Sequence, residues 1–217
     1  MKKIDLVIPT RNRYAKLIDT LNSVPDADWL NIIIVCDGDD ITYEMLKKWN
    51  GRKIDVRKTR IHVGSVFCRN WAIQGVEDGV IYGTDDITFE PNAIETAFET
   101  FNKNFSDDDG VIGFYQIESR FHPTGVALVG QKFLKRYPNK LLFFPGYYHF
   151  CCQEVYSLAR RLDKFILDEN AKLLHLHPQK YKKLIDETHE EARKYKERDF
   201  QLRNLRVELK LLWGDNG

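Results

Sequence analysis

Asp5-Leu6-Val7-Ile8-Pro9-Thr10-Arg11-Asn12-Arg13 is the stretch from which the rest of the chain can be read. Three aliphatic residues stopped by a proline and followed at once by an arginine-rich polar turn describe a short strand, buried on both faces, that ends in an open loop. Two further runs have the same form. Ile32-Ile33-Ile34-Val35 leads into Asp37-Gly38-Asp39-Asp40, and Val80-Ile81-Tyr82 leads through Gly83 into Thr84-Asp85-Asp86. Between them lie segments 14–21, 41–49 and 65–76, where apolar residues such as Leu17, Ile18 and Leu21 recur at helical spacing. This alternation predicts βαβ units with right-handed crossovers and a mostly parallel sheet. The polar turns that follow the strands then gather along one carboxyl edge, where open α/β sheets bind ligands.

Beyond Pro91 the pattern predicts a helix over 93–101, a polar turn over 106–110 and a strand over 111–117. Residues 118–150 mix Gly, Pro and aromatics, including Phe143-Phe144-Pro145-Gly146-Tyr147-Tyr148, a composition suited to binding loops. A helix over 153–162 and candidate strands over 164–167 and 172–177 follow. From 181 to 213 charged residues dominate while Leu184, Ile185, Ala192, Tyr195, Leu202, Leu205, Leu209 and Leu212 recur at spacings of three, four or seven. That stretch reads as one long amphipathic helix, or two broken near Asp199, and is a candidate surface for self-association into a homo-oligomer.

The chain has 217 residues, with 33 Lys and Arg against 32 Asp and Glu, for a formal net charge of +1. No global field therefore draws it to nucleic acid or to a membrane surface. No segment approaches the roughly 20 apolar residues of a membrane helix, and the apolar run behind Met1-Lys2-Lys3 is interrupted by Asp5 and ended by Pro9, too short for a secretory signal. Cys36, Cys68, Cys151 and Cys152 form neither a CxxC pair nor a zinc-ligand spacing, and a bridge between the adjacent pair would be strained. They read as bystander thiols of a cytoplasmic protein.

The edge chemistry excludes two familiar nucleotide sites. No G-x-G-x-x-G follows the first strand, and no Gly-rich turn ends in Gly-Lys-Ser/Thr. An arginine-rich first turn beside acidic second and third turns suits a diphosphate held together with a divalent cation, and paired aspartates supply the hard oxygens that Mg²⁺ or Mn²⁺ prefer.

In their order, the Asp5 to Arg13 run, Val35-Cys36-Asp37-Gly38-Asp39-Asp40, Cys68-Arg69-Asn70 and Tyr82-Gly83-Thr84-Asp85-Asp86 resemble the motifs of family-two glycosyltransferases of the GT-A fold. Phe150-Cys151-Cys152-Gln153-Glu154 resembles the acidic segment that opens their acceptor-side helix, and Leu174-His175-Leu176-His177-Pro178 their late histidine. Compactness and the T-D-D motif are similar to enzymes often found in phages. Two departures stand out. Cys36 occupies the place of the first Asp of D-D-G, and T-D-D replaces D-x-D. The resemblance implies an α/β GT-A (Rossmann-like) fold over 1–178, with a nucleotide-binding half to about 90 and an acceptor half over 91–178. Residues 179–217 form a C-terminal helical extension outside it.

It also implies a reaction: transfer of a sugar from a nucleoside diphosphate sugar, with a UDP-sugar expected, to an acceptor hydroxyl. By the same resemblance Asp86 and one of His175 and His177, preferably His177, hold Mn²⁺ or Mg²⁺, and Asp85 and Asp37 face the ribose and base. Pro9, Thr10, Arg11, Arg13 and Arg69 line the nucleotide pocket, where arginine suits phosphate better than lysine. An inverting reaction requires a general base, for which Glu154 is the candidate; a desolvating pocket would raise its proton affinity toward working pH. Tyr115, Phe121, Tyr147, Tyr148 and His149 fall where sugar or acceptor loops are expected. The acceptor is open among a glycan, a small molecule and a modified DNA base, the last suggested by Arg193, Lys194, Lys196, Arg198, Arg203 and Arg206. A non-catalytic nucleotide-sugar binding or assembly module is the reading from another class. A glycoside hydrolase using Asp86 and Glu154 would leave the arginine turn without a role.

Overall fold

A computed structural model describes residues 3–117, 123–148, 152–175 and 185–215. Strand β1 (Ile4–Thr10) pairs in parallel with β2 (Leu30–Cys36) on one side and β4 (Gly79–Tyr82) on the other, and β2 pairs in parallel with β3 (Asp55–Lys58). The sheet continues from β4 through β7 (Ala127–Gly130), β6 (Val111–Gln116) and β8 (Phe165–His175) to β5 (Ile87–Phe89). The order is β3-β2-β1-β4-β7-β6-β8-β5, antiparallel at β4/β7, β7/β6 and β8/β5 and parallel elsewhere.

The uninterrupted apolar runs have a direct physical cause. Successive strand residues face opposite sides, and both sides are covered. Leu6 and Ile8 of β1 pack with Leu17 and Leu21 of α1 (Tyr14–Asn22), Leu46 of α2 (Asp40–Lys47) and Phe101 of α4 (Ala93–Asn104). Val7 and Val35 face the opposite cluster, with Ile73 of α3 (Ser65–Ile73), Phe133 of α5 (Gln131–Leu134) and Leu158 of α6 (Cys152–Arg161). Two helical layers around one sheet give the α/β class expected.

Three strands are absent from the sequence reading. β3 is an edge strand with no fully buried residue, β5 is three residues long, and β7 lies within the stretch read as loops. The candidate strands over 164–167 and 172–177 are joined, within the described residues, as one strand, β8 (Phe165–His175). Its polar Asp168-Glu169-Asn170 segment is absorbed as an irregularity opposite β6, where the partner of Phe114 is Asp168 and that of Tyr115 is Lys172. Cys36 and Cys68 are buried free thiols; burial pushes Cys36 up to about 12, far from thiolate chemistry at neutral pH. Cys152 is half-buried, and Cys151 lies outside the described residues. Among the described residues no helix is long and apolar enough to cross a membrane.

Among the described residues the extension carries one helix, α7 (Glu187–Glu208), unbroken at Asp199. The polar residue that reads as a break is buried and accepts the backbone N–H of Tyr148 at 2.9 Å. Farther along, Arg206 donates from Nε and Nη2 to the Glu154 carboxylate at 2.7 and 2.9 Å, and the Trp213 backbone N–H adds a bond at 2.7 Å. The Tyr147 hydroxyl completes this set. The Trp213 indole donates to Leu141 O at 2.6 Å, and the Arg206 guanidinium lies 3.8 Å from the centre of the Phe144 ring. A carboxylate on α6 thus holds the far half of α7 against the sheet.

Removing one member of a buried pair leaves the other charge uncompensated. Arg206→Met is expected to lower unfolding free energy in urea by about 3 kcal/mol, the lower end for a buried pair because its exposure of 11% leaves an edge toward water. Adding Glu154→Gln should restore part of that loss, and additive losses would show that the two side chains are not coupled.

Candidate active site

Thr10, Arg11 and Arg13 leave the end of β1, Asp37 the end of β2, and Thr84, Asp85 and Asp86 the end of β4. Parallel pairing with β1 in the middle places the three turns side by side. They border a cavity of about 220 Å³ lined by Pro9, Thr10, Arg11, Arg13, Asp37, Arg69, Asp85, Asp86 and His175. The structure therefore brings together every expected nucleotide-side residue and the first of the two histidines. His177 lies outside the described residues, as do Phe121 and His149.

The turns are tied to one another. Asn12 adopts a left-handed φ of 55° and donates its N–H to Asp39 at 2.7 Å, while the same carboxylate caps α2 through the Thr42 N–H at 3.0 Å. Asp37 accepts the N–H groups of Val63 and Gly64 at 2.7 and 2.9 Å, holding the loop that enters α3. Gly64 has φ of 91°, and a Cβ there would meet the Tyr148 ring at 2.7 Å, so only glycine fits. Arg69 lines the cavity while its Nη2 donates to Gly83 O at 3.0 Å, fixing the start of the acidic turn.

Asp85 and Asp86 are both 4% exposed. Asp85 accepts from the Thr10 hydroxyl at 2.8 Å and from Arg13 Nη1 at 3.0 Å. Burial, together with the neighbouring Asp86 charge, still raises its carboxyl above the ordinary range against the pull of Arg13. Burial also opposes ionisation of Asp86, but the nearby imidazoles of His175 and His189 and the charge of Arg13 outweigh it and hold that carboxyl well below its usual value. Burial works equally against the Arg13 charge, yet Asp85, Asp186 and Asp86 keep the guanidinium more firmly protonated. The two neighbouring aspartates are thus pushed apart, with Asp86 the better anion.

Asp86 Oδ1 stands 3.4 Å from His175 Nε2, and Oδ2 3.6 Å from His189 Nε2. Ligands bonded to an octahedral Mg²⁺ or Mn²⁺ at about 2.1 Å stand about 3 Å apart, close to the Asp86–His175 spacing. The Gln116 amide oxygen lies 3.1 Å from His175 Nδ1 and leaves Nε2 toward Asp86, the usual support for a ligating imidazole. No ready-made cluster of three or more His, Cys, Asp or Glu ligands exists among the described residues. The set fits an ion that draws its remaining ligands from a diphosphate and water.

Glu154, the candidate base, is placed apart from these residues. It is absent from the cavity lining, both its oxygens are taken by Arg206, Tyr147 and Trp213, and it carries the α7 contact. Burial acts to raise its carboxyl, but Arg206, Tyr147 and the Trp213 N–H lower it below 4.5, opposite to what a general base requires. Its neighbour Gln153 lines the cavity instead. Tyr148 lines the cavity as well and pairs with His62 at 2.7 Å, whereas Tyr147 is buried against Glu154 and Tyr115 does not reach the site.

Residues the sequence reading missed include His62 and, from α7, Thr188, His189 and Ala192. Asp186 and His189 form a reciprocal capping box at the start of α7. That D-x-x-H spacing was the available signal, yet a capping pattern does not say what else its side chains touch.

The family model described as Glycosyl transferase family 2 matches residues 5–162. Comparison with curated proteins gives no significant match. Among solved structures, the mannosyltransferase PcManGT from Pyrobaculum calidifontis, in complex with GDP-Man and Mn²⁺, superposes with a TM-score of 0.66 at 12% identity, covering 80% of this chain and 56% of its own. The 1–349 portion of S. aureus TarS gives 0.64 at 16% identity, covering 83% and 62%. Its complex with UDP-GlcNAc gives 0.61 at 17%, covering 76% and 56%. These likenesses show the GT-A fold, and the chain spans about three fifths of the length of those structures.

Asp37→Ala should strip the Val63 and Gly64 amides of their acceptor. The expected result is faster hydrogen exchange at those two positions and a stability loss of about 1–3 kcal/mol, with Asp37→Asn intermediate.

Proposed function

This chain belongs to glycosyl transferase family 2, and from that premise we propose that its cavity takes a nucleoside diphosphate sugar, with UDP as the nucleotide, and passes the sugar to an acceptor hydroxyl. The observation that carries the reading is the meeting of two arginines and three aspartates, from three separate strand ends, at one cavity beside His175. A leaving diphosphate needs cations, and a metal held by carboxylate needs the second half of its shell. Each supplies what the other lacks.

Asp86 and His175 would hold the divalent ion, and an imidazole in the set favours Mn²⁺ over the harder Mg²⁺. When bound, that ion supplies Lewis-acid stabilisation of the charge that develops on the departing diphosphate. Arg11 and Arg13 address the same oxygens from the end of β1, with donors fixed before the reaction starts. Thr10 and Asp85 stand behind them toward the ribose, and Pro9 and Asp37 form the wall offered to the base. His62 and Tyr148 close the side of the cavity facing α3, and Gln153 faces it from α6. Inversion at the anomeric carbon, the expected course, would need a proton acceptor other than Glu154 as it stands clamped. In this reading Glu154 is a structural anchor.

The test is a thermal shift with UDP and Mn²⁺. Ligand at a hundred times Kd stabilises the native state by about 2.7 kcal/mol, enough to read in the wild type. Asp86→Ala, folded by circular dichroism, should lose the Mn²⁺-dependent part of that protection. Equal protection in the variant would remove the metal from Asp86.

A further inference from the structure

The arginines that the donor requires are already occupied. Asp186, the residue that caps α7, receives Nε and Nη2 of Arg13 at 2.9 and 2.6 Å and Nζ of Lys16 at 2.7 Å. Glu191, one turn on, receives Arg11 Nη1 at 2.5 Å and lies 2.9 Å from His62 Nε2. The Thr188 hydroxyl donates to Arg11 O at 3.3 Å. Two carboxylates, at the N-cap and in the second turn of α7, thus meet the two arginines in the way the oxyanions of a diphosphate would, including the two-point contact with Arg13.

Space points the same way as charge. With Thr188, His189 and Ala192 in its wall the cavity holds about 220 Å³, below the roughly 300–1,000 Å³ of pockets that enclose drug-sized ligands. Withdrawal of the helix start would enlarge the cavity toward that range. The two ends of α7 are also fixed differently. The far half is held by the buried Glu154–Arg206 pair, by Trp213 and by buried Asp199. The near half is attached through ion pairs and hydrogen bonds whose members are mostly part-exposed, as Arg11 and Glu191 are at 31% and 23%.

We propose that the N-cap and first two turns of α7 are an internal competitor for the donor's diphosphate: Asp186 and Glu191 occupy Arg13 and Arg11 in the resting protein, and donor binding exchanges them for phosphate oxygens while the far half of α7 stays anchored. The proposal rests on the donor reading above, and its test separates the two. Asp186→Asn keeps an N-cap side chain, and Glu191→Gln keeps shape and length, so the double variant should fold.

UDP affinity in Mn²⁺ is measured by titration calorimetry for wild type and double variant, and hydrogen exchange is followed over 185–199 with and without UDP. Expected are about tenfold tighter UDP binding in the variant, the sum of a few part-exposed ion pairs, and faster exchange in the first turns of the wild-type helix once UDP is added. Lys16→Met, which loosens Asp186 without touching either arginine, should tighten binding by a smaller factor. If wild type binds UDP and the double variant binds it equally or more weakly, the competitor is refuted. Slower exchange in those turns on adding UDP also overturns it, since they would then close over the donor. Failure of both proteins to bind UDP defeats the donor reading and, with it, this proposal.

Discussion

Arg13 lies 8% exposed among three carboxylates, Asp85 at 3.0 Å, Asp86 at 3.5 Å and Asp186 at 2.6 Å. A guanidinium cannot give up its charge to escape burial, so it persists in such a place only with anions around it. The reverse holds for the aspartates. The ends of β1 and β4 and the start of α7 are therefore parts of one electrostatic unit. A ligand entering that unit changes all three.

Seen this way, the opposite directions in which Asp85 and Asp86 are displaced have a local cause. Asp85 is committed to Arg13 and Thr10, while Asp86 faces two imidazoles and stays a strong anion. Identical side chains at adjacent positions acquire different chemistry because one turns toward a permanent cation and the other toward groups that can yield to an exogenous one. The same reasoning makes Glu154 an anchor. A carboxylate that satisfies an arginine, a tyrosine and a backbone N–H has no capacity left for a substrate proton.

Much of this was legible beforehand. Strands covered on both faces must be apolar at consecutive positions, so Leu6-Val7-Ile8, Ile32 to Val35 and Val80-Ile81-Tyr82 announced themselves, and the turns after them had to share an edge. β3 and β5 escaped because an edge strand and a three-residue strand need no apolar run. The reading over 172–177 stopped short of joining 164–167 because Asp168-Glu169-Asn170 is polar; in the fold that segment is bonded within the irregularity of β8, where Asp168 accepts the Asn170 N–H at 3.0 Å. The partners of Glu154 are hidden from the local sequence for a related reason. An acid at the start of an apolar helix looks the same whether it faces a substrate or an arginine 52 positions away.

By itself the sequence determined the layered α/β sheet and the arginine and aspartate turns at its carboxyl edge, since local periodicity and parallel pairing decide both. Only the tertiary structure decided what meets those turns. The contact between Arg13 and Asp186 joins residues 173 positions apart, and an ion pair of that span leaves no periodic mark on either segment. Its partners are chosen by how α7 packs across the sheet, which depends on the whole fold.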